Sequence, residues 1–382
     1  MKFWREFAEP DHGSYFTGRR LIGCDMQPDY LSQDVFDREI ERISYGVWHA
    51  VAFLSDLRNP NDFVLEQIGR KEVIIQNVGG RVCAFTNVCP HRFSAIHNVP
   101  KGNRALVCPY HQWRFDQNGC ASFPAIADAS QITHKPHLER WRVEAVGNVV
   151  YVCLNTSAPP LREYLGPSWA WIEAVSLSSG HEYETFETEI RANWKVIINN
   201  TIEFYHAYSV HPQTFRPMID APLRALEVLP TSQPHIHYAM RLKSDKQIRL
   251  DNLIGKTLKR PSIIGRNSYE HLYSFPNMTI GHVNGRSFSY FRYVPISPTA
   301  TKLIARTWMP KPEKPSETIA QFCRDYAAEN GPFIRKVSDE DKAICETVQR
   351  GLASRPPDWP QHFLGDENLI AQFHRDYFAI MG

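Results

Sequence analysis

Four residues in one short stretch carry chemistry that the rest of the chain must position. Cys89 and His91 flank a single proline, and after the interval Arg92 to Val107 come Cys108 and His111, separated by Pro109 and Tyr110. Thiolates are soft donors that place negative charge on ferric iron, whereas neutral imidazoles are weaker donors. A site with both can hold one iron by sulfur alone and another by two ring nitrogens. That mixture raises the reduction potential above that of an all-cysteine cluster. A structural zinc site draws on the same ligands, but its first pair is ordinarily separated by two to four residues, and here only Pro90 intervenes. Unligated core cysteines and surface histidines account for any one of the four residues but not for all together.

A second set lies further on, in Glu203-Phe-Tyr-His206-Ala-Tyr-Ser-Val-His211-Pro212. Glu203 and His206 are three apart on a stretch that reads as helical, which puts them on one face. His206 and His211 are five apart and diverge on an unbroken helix, so convergence requires the helix to end between them. Pro212 favours such a stop, because the residue before a proline avoids the helical region. Two histidines with one carboxylate leave coordination positions open, the arrangement that lets ferrous iron bind dioxygen beside a substrate. By itself this spacing is a weak signal, equally met by a helix with two satisfied histidines.

The elements around these sets can be read from periodicity. Leu31, Phe36, Ile40 and Ile43 recur at helical spacing over 31–47, with Ser32 as the cap. Strand alternation follows at 48–53, 63–68, 72–76 and 81–85, the last two joined by a turn at Gly79-Gly80, and a final hairpin pairs 141–146 with 149–154 across Gly147-Asn148. The first set therefore sits on loops of an antiparallel β domain, and loops on a rigid sheet need little rearrangement between oxidation states. Ser157-Ala-Pro-Pro160 and Gly166-Pro167 break the pattern. The predicted division is an N-terminal segment 1–46 packing on the last domain, a cluster domain 47–157, and a domain 158–382. The last contains a strand at 185–192, strands and hairpins across 228–310, and helices at 316–329, 339–352 and 366–380. The fold class is α+β, with a large antiparallel sheet of the helix-grip type in the second domain.

Composition narrows the partners. The chain has 382 residues, 43% of them apolar and 22% charged, with a formal charge of +2 and no long basic run. Nothing in it suggests a nucleic-acid footprint, and no stretch approaches membrane-spanning length. A cytoplasmic, reducing location is expected, since Cys24, Cys83, Cys120, Cys153, Cys323 and Cys345 are scattered without framework spacing. Cys83 and Cys120 are read as core thiols.

Taken together, Cys89-x-His91, Cys108-x2-His111, Asn193-Trp-Lys195 and Glu203-x2-His206-x4-His211 resemble the Rieske non-heme iron oxygenases, the ring-hydroxylating alpha-subunit family. The resemblance spans nearly the whole chain. It implies a Rieske 2Fe-2S cluster of the low-potential kind on Cys89, His91, Cys108 and His111, and a mononuclear Fe(II) on His206, His211 and an aspartate of the closing helix, matched by Asp341. Asp341 shares a helical face with Ile344, Cys345, Val348 and Leu352, and an acid on a buried face needs a partner. A capping box over Ser338 to Asp341 is the competing reading. Glu203 stands where many members have Asp and is implied to bridge His111 of one subunit to His206 of the next, which requires a head-to-tail ring, a homotrimer. Asn200 matches the family's asparagine near the iron. Phe93 and Gln112 replace glycines common in the cluster loops, which leaves the loop path open.

The activity so implied is that of a terminal oxygenase that activates O2 and hydroxylates a small organic substrate, with aromatic ring hydroxylation favoured. The alternative is oxidative N- or O-demethylation of a quaternary ammonium or methoxy compound. The chain has neither a dinucleotide-binding glycine fingerprint nor a plant-type ferredoxin cysteine run, so electrons from NADH or NADPH must arrive through a separate reductase, with or without a ferredoxin. A beta subunit is a further candidate partner. Phe204, Tyr205 and Tyr208 are candidates for a pocket wall, and Arg216, Arg224, Arg241 and Arg249 for pairing a substrate carboxylate. The rival from another class is a Rieske electron carrier, which needs no second iron.

Overall fold

The computed structural model describes residues 22–24, 27–125, 130, 133–218, 226–242, 264, 268–312, 314–356 and 358–382. Arg224 and Arg249 lie outside these. The chain forms two compact units, Glu39–Tyr164 and a second made of the segments before and after it.

The first unit is built on a seven-stranded antiparallel sheet. Its spatial order is Trp48–Phe53, Val149–Cys153, Arg140–Val146, Arg81–Thr86, Lys71–Val78, Asp62–Ile68 and Lys101–Asn103. Strand alternation sends Val73 and Ile75 into one core with Val51, Val150 and Val152, and Ile74 into another with Phe63, Phe85, Trp113 and Phe115. The second core also encloses Cys89 and Cys108. The loop after Arg81–Thr86 is fastened from below by buried Asn87. Its Oδ1 accepts from the amides of Ile96 (2.9 Å) and His97 (3.0 Å), and its Nδ2 donates to the His97 carbonyl (2.7 Å). Cys83 is buried and Cys120 half-buried, and both are free thiols.

The second unit has a seven-stranded antiparallel sheet ordered Ser179–Ile190, Ala300–Pro310, Phe288–Ser297, Met278–Val283, Ser268–Ser274, Ile236–Arg241 and Leu226–Val228. Against it lies one helix of 38 residues, Glu317–Ser354, where periodicity suggested two separate helices. Gly331-Pro332 reads as a breaker, yet the helix runs through it. A row of side-chain contacts holds the helix along the first strand and its continuation: Arg335 on Glu184 (2.6 Å), Lys342 on the Thr188 hydroxyl (3.0 Å) and Glu346 on Arg191 (3.0 Å). Tertiary packing of this kind outweighs the local cost of one proline. The last helix, Asn368–Met381, forms as expected.

The Asn-Trp-Lys stretch has a structural explanation. Asn193 caps helix Trp194–Thr201 by accepting from the Lys195 amide, while the buried Lys195 ammonium stands 5.4–5.6 Å from the rings of Tyr30, Trp194 and Tyr377. Near the N-terminus, the expected helix is α-helical over Gln33–Glu39 and widens to a π-turn over Ile40–Ser44, with the Ser32 hydroxyl accepting from the Val35 amide (3.3 Å).

Candidate active site

The two cluster loops follow the same backbone course. The amide of Cys89 donates to the Ser94 carbonyl (2.9 Å) and the amide of Phe93 back to the Cys89 carbonyl (3.0 Å). The amide of Cys108 likewise donates to Trp113 (2.8 Å), and that of Gln112 to Cys108 (3.0 Å). The residue four places after each cysteine is left-handed, Phe93 at φ 61° and Gln112 at φ 60°. The path that glycine would ease is thus adopted without glycine, at a cost of about 1–3 kcal/mol per residue. Both cysteines are buried (1% exposed), and the rings of His91 and His111 stand 4.5 Å apart, with His91 stacked on Trp113. His111 Nδ1 is buried without a hydrogen-bond partner among the described residues. Two adjacent buried thiols, two adjacent imidazoles and an orphaned ring nitrogen fit a mixed thiolate and imidazole cluster.

In the second unit the helix bearing Asn200 ends at Thr201, earlier than the spacing suggested, and a separate short helix, Ala207–Val210, lies between the two histidines. Glu203 and His206 are therefore joined by a turn and not by a regular helical face. One Glu203 oxygen accepts from the Tyr205 and His206 amides, and the other contacts His206 Nδ1. His206 Nε2 is thereby turned towards Asp341 Oδ1, at 3.5 Å. His211 is handled in the same way by a residue that spacing did not single out: its Nδ1 lies 2.8 Å from Glu340 Oε2, which also accepts from the Thr214 hydroxyl (2.8 Å), and its Nε2 lies 3.0 Å from Asp341 Oδ1. Asn200 Nδ2 donates to the same Asp341 oxygen at 2.9 Å.

Among the described residues, His206, His211 and Asp341 form a group with one ligand atom each, all within 4.8 Å of one another. Ser338 and Asp341 lie in the middle of the long helix, whose cap is Ser316, so no capping box forms there. The donor set fits ferrous iron: two imidazoles, each oriented through Nδ1 by a carboxylate, and one carboxylate oxygen. Burial pulls the His206 imidazole down, but Asp341 and Glu203 together carry it up to about 10. Burial also pushes the Asp341 carboxyl up, and the two histidines outweigh this and hold it well below the usual carboxylate range.

Beside this group opens a cavity of about 110 Å³ lined by Phe204, Phe215, Tyr238, Tyr269, Phe291 and Tyr293 among others. Phe204 belongs to its wall as expected, whereas Tyr205 and Tyr208 are exposed, at 49% and 40%. Arg216 stacks on Tyr208, 4.6 Å from its ring, and Arg241 is exposed; neither lines the cavity. The aromatic and polar wall contributed by the sheet was not foreseen, because alternation gives a strand its two faces but not the neighbours that share them.

The Rieske [2Fe-2S] domain model matches residues 47–136, and the model of the ring hydroxylating alpha subunit (catalytic domain) matches residues 177–382. The chain belongs to the ring-hydroxylating alpha-subunit family. It is a Rieske oxygenase large subunit, a terminal component that takes electrons from a separate partner. No described helix is long and apolar enough to cross a membrane. The glycine betaine monooxygenase oxygenase subunit of Pseudomonas aeruginosa is 26% identical over 362 residues, 86% of this chain and 82% of the relative. The carnitine monooxygenase oxygenase subunit of Acinetobacter pittii is 32% identical over 194 residues, 48% of this chain and 51% of the relative. Among solved structures, a quaternary ammonium Rieske monooxygenase superposes with a TM-score of 0.75 at 23% identity, covering 92% of this chain and 94% of that one. Naphthalene 1,2-dioxygenase from Rhodococcus sp. gives 0.73 at 18%, covering 92% and 93%. At these identities the structures share the fold.

Proposed function

We propose that Cys89, His91, Cys108 and His111 hold the 2Fe-2S cluster and that His206, His211 and Asp341 hold the mononuclear iron of an oxygenase acting on a small N-methylated quaternary ammonium substrate. The observation that carries the reading is the convergence of both Nε2 atoms on Asp341 beside an aromatic cavity. The iron supplies the site at which O2 is activated. Glu203 and Glu340 hold the two imidazoles in the tautomer that presents Nε2, and Asn200 fixes the carboxylate. The rings of Phe204, Phe215, Tyr238 and Tyr269 exclude water and offer π-faces to an ammonium group. The overall reaction inserts one oxygen atom into an N-methyl C–H bond and reduces the other to water, using two electrons and two protons. The hydroxymethyl ammonium product then loses formaldehyde and a proton and leaves a tertiary amine.

The cluster that Cys89, His91, Cys108 and His111 would hold would accept electrons drawn from NADH or NADPH by a separate reductase. In a head-to-tail homotrimer they pass from His111 of one subunit through Glu203 to His206 of the next. Glu203 already contacts His206 within its own chain, which supports the second half of that route. Ring hydroxylation is the second reading, supported by the anthranilate 1,2-dioxygenase large subunit of Acinetobacter baylyi, 29% identical over 225 residues, 54% of this chain and 46% of the relative.

Iron, acid-labile sulfide and zinc content on anaerobically purified protein tests the metal assignment, with about three irons and two sulfides per chain expected. Oxygen uptake with a surrogate reductase then distinguishes the two readings: formaldehyde from glycine betaine supports demethylation, and a hydroxylated ring from anthranilate supports the alternative. Zinc without sulfide sinks both.

A further inference from the structure

The cavity face of the sheet carries a polar row. Antiparallel register sets Tyr238 opposite His271, His271 opposite Gly281, Gly281 opposite Ser289 and Ser289 opposite Thr307, so all five share one face. Tyr238, His271, Gly281 and Ser289 line the cavity. Tyr269, two residues before His271, lines it too. A Cβ at Gly281 would stand 3.4 Å from His271 Cδ2 and 3.5 Å from Tyr269 Oη, so the missing side chain leaves a notch flanked by an imidazole and a phenol.

Two of these groups are not spent on the protein, whereas the Tyr238 hydroxyl donates to the Thr201 carbonyl (3.1 Å). His271 is 6% exposed, and its Nδ1 has no hydrogen-bond partner among the described residues. Thr307, wholly buried at the end of the row, likewise has an unpartnered hydroxyl. A polar group left unpaired in the interior costs about 1–3 kcal/mol. Of the two, only His271 lines the cavity, and its Cδ2 edge faces Gly281 with Nδ1 on the other side of the ring. Burial holds the His271 imidazole down at about 3 and raises the Tyr269 phenol, so both are neutral near pH 7 and the phenol keeps a proton to donate.

We infer that the notch over Gly281, between Tyr269 and His271, seats a carboxylate of the substrate and so orients the molecule against the iron group of the same cavity. The inference rests on the proposed oxygenase reading and adds a substrate class to it: a small zwitterion or acid with an oxygen acceptor at the end away from the oxidised carbon. Tyr269 donates through Oη, and His271 borders the notch with its Cδ2 edge. Ser289, in register with Gly281, contributes a third polar group to the cavity wall.

The test is anaerobic calorimetric binding to the iron-loaded protein, with glycine betaine against tetramethylammonium and anthranilate against aniline. Each pair differs in the carboxylate. Wild type is expected to bind the acid of at least one pair about tenfold or more tightly than its counterpart. Tyr269→Phe removes only the hydroxyl, and Gly281→Ala fills the notch at ordinary contact distance; each is expected to bring the ratio within about threefold of unity. Equal affinities within both pairs in wild type, or a preference that survives both substitutions, overturns the inference. A purely structural role would weaken both members of a pair alike and leave the ratio unchanged. Iron and sulfide content is measured on the same preparations, so loss of the metals, which would sink the oxygenase reading, is distinguishable from loss of the carboxylate preference.

Discussion

Asn200 Nδ2 donates to Asp341 Oδ1 at 2.9 Å, and the same oxygen lies 3.0 Å from His211 Nε2. Asn200 therefore positions the carboxylate from the side opposite the long helix that carries it. Its removal frees Asp341 to turn about its own side-chain torsions while both imidazoles stay anchored. In Asn200→Ala we expect iron affinity about tenfold lower, with the visible spectrum of the cluster unaltered. Competition with a ferrous chelator measures it, and an affinity equal to wild type would show that the helix alone fixes Asp341.

Glu340 is to His211 what Glu203 is to His206. With Thr214 also donating to Glu340 Oε2, the carboxylate is itself held in place. Glu340→Leu is expected to lower iron affinity about 10- to 100-fold, and Glu340→Gln less, because the amide oxygen still accepts from Nδ1. Iron retained after dialysis against chelator decides this. Retention equal to wild type in both variants would mean that charge and hydrogen bond are both dispensable.

Protons and iron compete for the same atoms. Without metal, His206 is carried up to about 10 by Asp341 and Glu203 against the opposing pull of burial. Its contribution to stability is full below the ordinary histidine value of 6.5 and is lost as pH rises through about 10. Asp341 is shifted the other way, so its contribution is present above 3.8 and lost as pH falls through its depressed folded value. The metal-free protein should therefore weaken from about pH 6.5 upward in a way the iron-loaded protein does not. Ferrous iron requires neutral imidazole, and His211 is also raised, the pull of burial being outweighed by Asp341 and Glu340, so loading at pH 7 should expel about one to two protons per iron. Calorimetric titration in buffers of differing ionisation enthalpy measures the release. A heat independent of buffer would mean that the histidines are already neutral.

The left-handed residues of the cluster loops are open to a stability measurement. Phe93 is 78% exposed and gives up little buried surface, so Phe93→Gly exchanges backbone strain for added freedom of the unfolded chain. We expect Phe93→Gly and Gln112→Gly each to stabilise the cluster-loaded protein by up to about 1 kcal/mol, read from urea unfolding. Destabilisation by either would show that the side chain makes up for its own strain.

The four candidate cluster residues stood out because their residue types and spacing are rarely met by chance, and the hairpins were legible because turn residues bracket clean alternation. Asp341 could be placed on a buried face but not distinguished from a cap, since that depended on whether the helix began near Ser338 or at Ser316. The predicted helices at 316–329 and 339–352 implied the former, and only packing against Glu184, Thr188 and Arg191 shows the latter. Glu340 lay beside the residue that was noticed and went unremarked, because its role depends on His211, 129 positions away. The row through His271 and Gly281 had no signal in any one strand. It exists only once the register of five strands is set.

Asn87 ties the fold of the first unit to its chemistry. It is 2% exposed and satisfies the amides of Ile96 and His97 and the carbonyl of His97, immediately after the loop that carries Cys89 and His91. Asn87→Ala leaves three buried backbone groups without their partner. At about 1–3 kcal/mol for each unsatisfied group, less whatever water recovers, the net cost should be about 2–5 kcal/mol. The loop should also open more often, so acid-labile sulfide should be lost faster on dilution into aerobic buffer than in wild type, while iron at His206 and His211 is released at an unchanged rate. Parallel loss from both sites would indicate global unfolding, whereas selective loss of sulfide would trace cluster retention to the side chain of Asn87.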